Sequence, residues 1–359
     1  MSLKILMMIL RIYSDKSYIP PQTAHVNMLC PFWGINPEAL EPYPNAYSNY
    51  VSEGEKIFEL VNNIEEADCI IAPVAWEKNI QGQLLTSQFA ELASPNKPIV
   101  IFFHHDSDEP IPVPNSVIFR TSFYKSQQKP TEYALPTWNE DPLKVHNQDQ
   151  LVIREKQSTP VLGFCGYVIT PNMNIIQYVK DIGRYIKDGI HKTNAKRQKR
   201  AYHVFRGKIV QRLKKSKRIQ TNFIIRHQFY GVVTTLQRHQ YNQEFFQNTI
   251  DSDYILCVRG AGNFSYRLYE TLACGRIPVF VNTDCVLPYD FEIDWKQYCV
   301  WIEANEIDLI EQKVRDFHDK LSPEAFIALQ KNCRKLWEDY LSPEGFFRNF
   351  YRHFKKETI

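Results

Sequence analysis

The sequence predicts an α/β protein made of two doubly wound halves, each a parallel sheet wrapped by helices, facing one another across a cleft. Short, wholly apolar runs alternate with stretches of helical period, the pattern of parallel strands covered on both faces. The alternation runs twice. Between Tyr124 and Pro160 it is interrupted by a polar segment carrying Pro130, Pro136, Pro142 and Pro160. At 359 residues the chain is long enough for two cores of ordinary size. The expected division is an N-terminal domain over 1–150, a second domain over 151–335, and a helix over 336–359 that packs back on the first.

In the first half, Lys4–Tyr13 reads as a buried strand. Ser52–Glu66 places Ile57, Leu60, Val61 and Ile64 at the 3.6 period and predicts a helix. Cys69–Val74 is a strand, Gln83–Leu92 a helix, and Pro98–Phe103 a strand running directly into His104-His105-Asp106-Ser107-Asp108-Glu109. Val117–Arg120 completes the series. The second half opens with a strand at Val161–Cys165 and a helix over Asn174–Asp188, followed by a basic stretch, Gly189–Arg218. Strands follow at Arg218–Arg226, Tyr254–Val258, Ile277–Val281 and Tyr298–Ile302. After Asn305 come three helices, two of them restarted by Ser-Pro-Glu at 322–324 and 342–344. Serine there is an N-cap, proline takes the first helical position, and the carboxylate suits the helix dipole.

The net charge of +3, from 43 Lys/Arg and 40 Asp/Glu, conceals an asymmetry. Residues 1–150 carry 10 Lys/Arg against 18 Asp/Glu, whereas 151–359 carry 33 against 22. Gly189–Arg218 alone holds 12 Lys/Arg and no carboxylate. Tyr202, Val204, Phe205, Ile209, Val210 and Leu213 interleave with them, so this stretch reads as an amphipathic helix with a basic face. That face is either simply solvated or a seat for an anionic membrane or acceptor. Nucleic acid is electrostatically allowed but is not the expected partner.

The eight cysteines are dispersed, without a C-x-x-C pair or a histidine cluster at zinc spacing, so no metal site is expected. They read as core thiols of a reducing compartment. The N-terminal apolar run is broken by Lys4 and Arg11, is too short to span a bilayer, and is followed by no small-residue cleavage site. The expected location is the cytoplasm, with peripheral membrane contact through 189–218 as an option, and not the secreted space.

The chemistry concentrates between Asp253 and Asp284, which read as strand, loop, helix, glycine stop and strand. In the loop Arg259-Gly260-Ala261-Gly262-Asn263, two glycines let backbone N–H groups approach a ligand, and Asn263 is the expected N-cap. An anion at this helix start would meet unpaired N–H groups. Neither the dinucleotide-binding glycine pattern nor P-loop spacing is present. Arg267 and Glu270 lie three apart and share a face. They form either an intrahelical ion pair or part of a nucleotide site, because an ionised Glu can accept two hydrogen bonds from a vicinal diol such as a ribose.

These residues carry a resemblance. Arg259-Gly260, Ser265-Tyr266-Arg267, Tyr269-Glu270-Thr271-Leu272, Gly275–Val279, Leu287-Pro288 and Ile293-Asp294-Trp295 together resemble the signature of the exostosin family, glycosyltransferase family 47. Weaker likeness at LGFCGYV, ADCIIAPV and FFHHDSDEP extends it over most of the chain. The resemblance implies a GT-B fold of two Rossmann-like domains, the first on the acceptor side and the second binding the nucleotide sugar. It further implies metal-independent, inverting transfer from a UDP-sugar (xylose, galactose, glucuronate, arabinose or similar) to a glycan or glycoconjugate. The nucleotide sugar is then a co-substrate and no cofactor is needed.

Carried onto this chain, Glu270 would bind the ribose, and Arg259, Ser265 and Arg267 would hold the diphosphate and its loop, to which Gly262 and Asn263 belong. Gly166, Tyr167 and Arg226 join the donor set because they follow strands. Animal members carry a membrane anchor, a lumenal stem and a second transferase module. Without them this chain is expected to be a soluble, single-module enzyme of bacterial or viral type that makes one transfer. Asp-Ser-Asp occurs at 106–108 and 251–253, and only the first follows a strand, where a metal motif would sit.

Inverting transfer also needs a base for the acceptor hydroxyl. The loop after Pro98–Phe103 offers Asp106 first and His105 second, the alternative being a solvated polar loop. The competing function is a non-catalytic protein that binds glycan, nucleic acid or membrane on a transferase-like fold. The joint presence of Arg259, Ser265, Arg267 and Glu270 argues for the enzyme.

Overall fold

The computed structural model describes residues 9–39, 41, 43–76, 80–169, 179, 195–226 and 235–354. Two parallel sheets organise them. The first consists of β1 (Leu10–Tyr13), β2 (Phe58–Leu60), β3 (Cys69–Ile71), β4 (Ile99–Phe103), β5 (Ser116–Arg120) and β6 (Glu132–Ala134), in the order β2-β1-β3-β4-β5-β6. The second consists of β7 (Val161–Tyr167), β8 (Gln220–Arg226), β9 (Tyr254–Cys257), β10 (Ile277–Asn282) and β11 (Val300–Glu303), in the order β11-β10-β9-β7-β8. All pairings between these strands are parallel. In both sheets the chain starts inside and winds outward in the two directions, the doubly wound α/β plan. This is the two-sheet GT-B arrangement.

Burial explains the composition of the strands. Every residue of β4, β5 and β9 is buried, so both faces are apolar except at the two ends of β5, where Arg120 pairs with Glu132 at 3.3 Å and Ser116 Oγ donates to Val113 O. Ser52–Glu66, in contrast, is not one helix. A helix over Ser48–Glu53 gives way to a 3₁₀ turn, then to β2, then to a second turn at Ile64–Glu66. Gly54 sits where an added Cβ would strike the Pro31 ring, so the chain passes close to its neighbour there. Beyond it, Phe58 pairs with Leu10 and Leu60 with Ile12. Register with β1 outweighs the local helical period.

The segment 124–160 is likewise more regular than its prolines indicate. It contains β6 and a short helix, Pro142–His146, whose Asp141 cap accepts from the Leu143 N–H. The helix expected over Asn174–Asp188, apart from Val179, residues 4–8 of the expected first strand and residues 189–194 lie outside the described residues.

At the C-terminal end the helices are Ile310–Lys320, Pro323–Leu336 and Pro343–Arg348. Ser322 Oγ accepts from Ala325 N at 3.1 Å and Ser342 Oγ from Gly345 N at 3.0 Å, as the two Ser-Pro-Glu runs predict. Leu336, Trp337 and Leu341 belong to the core of the second half. Phe346, Phe347 and Phe350 are buried with Phe58, Phe102 and Phe119 in the core of the first. All eight cysteines are free thiols, seven of them buried. Among the described residues, no helix is long and apolar enough to cross a membrane.

Candidate active site

The C-terminal ends of the two sheets open onto one cleft of about 480 Å³. From the second half it is lined by the end of β7 at Cys165-Gly166-Tyr167, Arg226 of β8, the 260–262 loop, and Ser265, Tyr266, Arg267 and Glu270. From the first half come Tyr43, Asp106, Asn139 and Glu140. Gly166 and Tyr167, expected in a loop, are the last residues of β7 itself.

On the Tyr266–Ala273 helix the two charged residues are hydrogen-bonded to other partners and not to each other. Arg267 donates from Nε and Nη2 to the Cys165 carbonyl at 3.2 and 3.0 Å, and its guanidinium lies 4.9 Å from the Phe164 ring centre. An added Cβ on Gly166 would collide with Arg267 Nη2, so glycine is required for this approach. Glu270 Oε1 accepts instead from Asn139 Nδ2 at 2.6 Å, across the cleft. Burial pushes the Glu270 carboxyl pKa up, against the pull of Arg267 and the Asn139 hydrogen bond. Arg226 donates from Nη2 to the Tyr241 carbonyl and to Glu244, lies 3.6 Å from the Tyr241 ring centre, and keeps a buried Nε without a partner. Ser265, 6% exposed, faces the cleft with a buried Oγ that has no partner among the described residues.

Three expected site residues stand outside the cleft lining. Arg259 clasps its own loop, donating from Nε to Gly262 O at 3.1 Å and from Nη2 to Ala261 O at 3.2 Å. Its Nη1 goes to Tyr124 Oη, and its guanidinium is 3.6 Å from the Tyr202 ring centre. Asn263 is not the N-cap; Ser265 holds that position, without a side-chain cap bond. The Asn263 N–H donates to Ser122 Oγ at 2.8 Å and its Nδ2 to Phe123 O and Asp284 O, sewing the loop to the first half. With their polar atoms so committed, both residues build the wall.

His105 is the third. Its ring stacks on Phe103 with centres 5.4 Å apart, and Nδ1 accepts from the Ser107 N–H at 2.9 Å. Asp106 does line the cleft, with Oδ1 2.9 Å from where a Cβ on Gly262 would stand. Gly262 thus lies close against the first half at the site.

Sequence reasoning missed Arg206. It lies on the Ala195–Leu213 helix, inside the basic stretch read as a separate surface. It is 4% exposed, lines the cleft, and donates from Nη1 to Tyr167 O at 3.1 Å. Its Nη2 donates to Val258 O at 3.1 Å and Arg259 O at 2.6 Å. The signal was a lone arginine between Phe205 and Gly207 on an otherwise apolar face; an added Cβ on Gly207 would strike the Ile169 carbonyl. Part of the basic stretch is therefore the floor of the cleft. Further along, Arg212 pairs with Asp308 at 2.6 Å.

Two doubly wound sheets with a cation-lined cleft at their carboxyl ends define the class. Residues 168–316 match the Exostosin GT47 domain. The likeness read at ADCIIAPV and FFHHDSDEP lies outside the matched segment. Over 90 residues the chain is 37% identical to Exostosin-1 of Drosophila melanogaster, a match covering 25% of this chain and only 11% of that relative's length.

Similar solved structures include an alpha-glucosyltransferase in complex with UDP and a 13-mer DNA, at TM-score 0.37 and 12% identity, over 97% of this chain and 99% of that one. The sucrose-phosphate synthase of Thermosynechococcus elongatus is similar at TM-score 0.38 and 10% identity, over 87% and 76%. No residue role is carried over at such values, and the architecture rests on the strand order.

Proposed function

We propose that the protein is a glycosyltransferase that draws on a UDP-sugar and transfers the sugar, with inversion and without a metal ion, to a hydroxyl of a glycan or glycoconjugate. One observation carries the reading: buried polar atoms of Ser265, Arg226 and Arg206 lack partners, and they border the same cleft as Arg267. Buried cations and unpaired donors are costly unless an anion meets them. A diphosphate supplies that anion and, on leaving, keeps its developing charge among fixed donors. Glu270, poised by Asn139, accepts the ribose hydroxyls.

On the opposite wall, Asp106 takes the proton of the acceptor hydroxyl as its oxygen attacks the anomeric carbon. The new C–O bond forms as the bond from that carbon to the phosphate oxygen breaks. The arginines supply the positive charge that a divalent ion would otherwise provide.

A panel of UDP-sugars, assayed for hydrolysis and transfer, identifies the donor. In calorimetry, Glu270→Ala is expected to weaken UDP binding about tenfold, the loss of a charge-assisted contact of about 1.5 kcal/mol. UDP affinity equal to that of the unaltered protein would place the nucleotide elsewhere.

A further inference from the structure

We infer that Arg206 is a phosphate-binding residue of the cleft, carried there by the helix of the basic stretch. The inference rests on the nucleoside diphosphate reading and adds to it a residue that lies outside the sequence signature.

Arg206 is 4% exposed, and the charges that bear on its guanidinium are Arg267 and Arg259. Both are cations. Its Nη atoms donate to three backbone carbonyls, which fix its plane but cannot neutralise its charge. Its Nε is buried with no partner. Burial and the two neighbouring arginines together disfavour its charged form.

Those carbonyls belong to the end of β7 and to the residues just after β9. They hold Arg206 between two strand ends, where a doubly wound sheet places its ligand. The space before it is open: around an added Cβ on Gly260, Arg206 Nη2 at 3.3 Å is the one neighbouring atom within 4 Å. Ser265 Oγ, another buried donor without a partner among the described residues, faces the same cleft. A planar fork held by carbonyls, with its buried Nε left unbonded, suits an anion with several oxygens.

Calorimetry with UDP, uridine and inorganic pyrophosphate tests this on the full chain. Arg206→Gln is expected to lose at least tenfold in affinity for UDP and pyrophosphate, with uridine changed less than about twofold. Should that variant not fold, Arg206→Lys keeps the charge but not the fork, and is expected to fall several-fold for UDP alone. Ser265→Ala removes an oxygen that makes no bond in the fold and should also weaken pyrophosphate. Unchanged UDP affinity in the Arg206 variants, or equal losses for UDP and uridine, would reduce Arg206 to a loop brace and overturn the inference. An unaltered protein that binds pyrophosphate but not UDP would overturn the nucleotide reading and leave the anion site standing; binding of neither overturns both.

Discussion

Asp106 and His105 are neighbours in sequence whose side chains serve different purposes. Past the end of β4 the His105 ring turns back over Phe103, and Asp106 goes to the cleft beside Gly262. The residue types were readable in the loop, but which one faced the cleft depended on how the chain leaves the strand. Asp106→Asn is expected to lower transfer at least tenfold while UDP affinity stays within about twofold, because amide and carboxylate match in shape and differ as bases. Turnover and calorimetry on the same preparation check it. Glu270 taught a similar lesson. A spacing of three permits an ion pair with Arg267, yet the Cys165 carbonyl took the arginine and Asn139 the carboxylate. Both partners lie more than a hundred residues away in sequence, beyond the reach of helical spacing.

Elements were legible where they were long, wholly apolar or capped. PIVIFF and YILC could only be buried strands, and Ser-Pro-Glu marks a helix start through atoms all within one turn. The short strand β2 was misread because Ile57, Leu60, Val61 and Ile64 fit the helical period by chance. Within the basic stretch the charge count could not single out Arg206, which sits on the buried side of its helix. The capping argument predicts that Ser342→Ala destabilises the protein by about 1 kcal/mol, through loss of the bond from Gly345 N. A denaturant midpoint that falls, with activity retained, is the expected result.

Over the whole molecule, the last described residues return to the first core. There His353 is 7% exposed, ringed by Phe119, Tyr133, Tyr289 and Phe350, and its Nδ1 bonds to the Phe350 carbonyl at 3.0 Å. Burial holds its imidazole down at about 3. Unfolded, it titrates near 6.5. Between those values the unfolded chain binds the proton and the folded chain does not, so stability is full above about pH 6.5 and falls as pH drops. Burial shifts His25 and His318 in the same direction. The melting temperature should therefore fall by several degrees from about pH 6.5 to about pH 4.5, and less steeply in His353→Phe. A flat profile would contradict the burial of these rings.

The return of the chain also has a mechanical meaning. The polypeptide leaves the first half near residue 150 and re-enters it after Leu341, so two covalent crossings join the halves. Flanking segments are tied to each other, Trp138 Nε1 to Leu341 O at 2.9 Å and Arg334 Nη2 to Asp141 at 2.8 Å. A body held by one tether can swivel about any axis. Held by two, and fastened further by Asn263 to Ser122 and by Lys125 to Asp290, the halves have fewer ways to move apart than a single crossing would leave them.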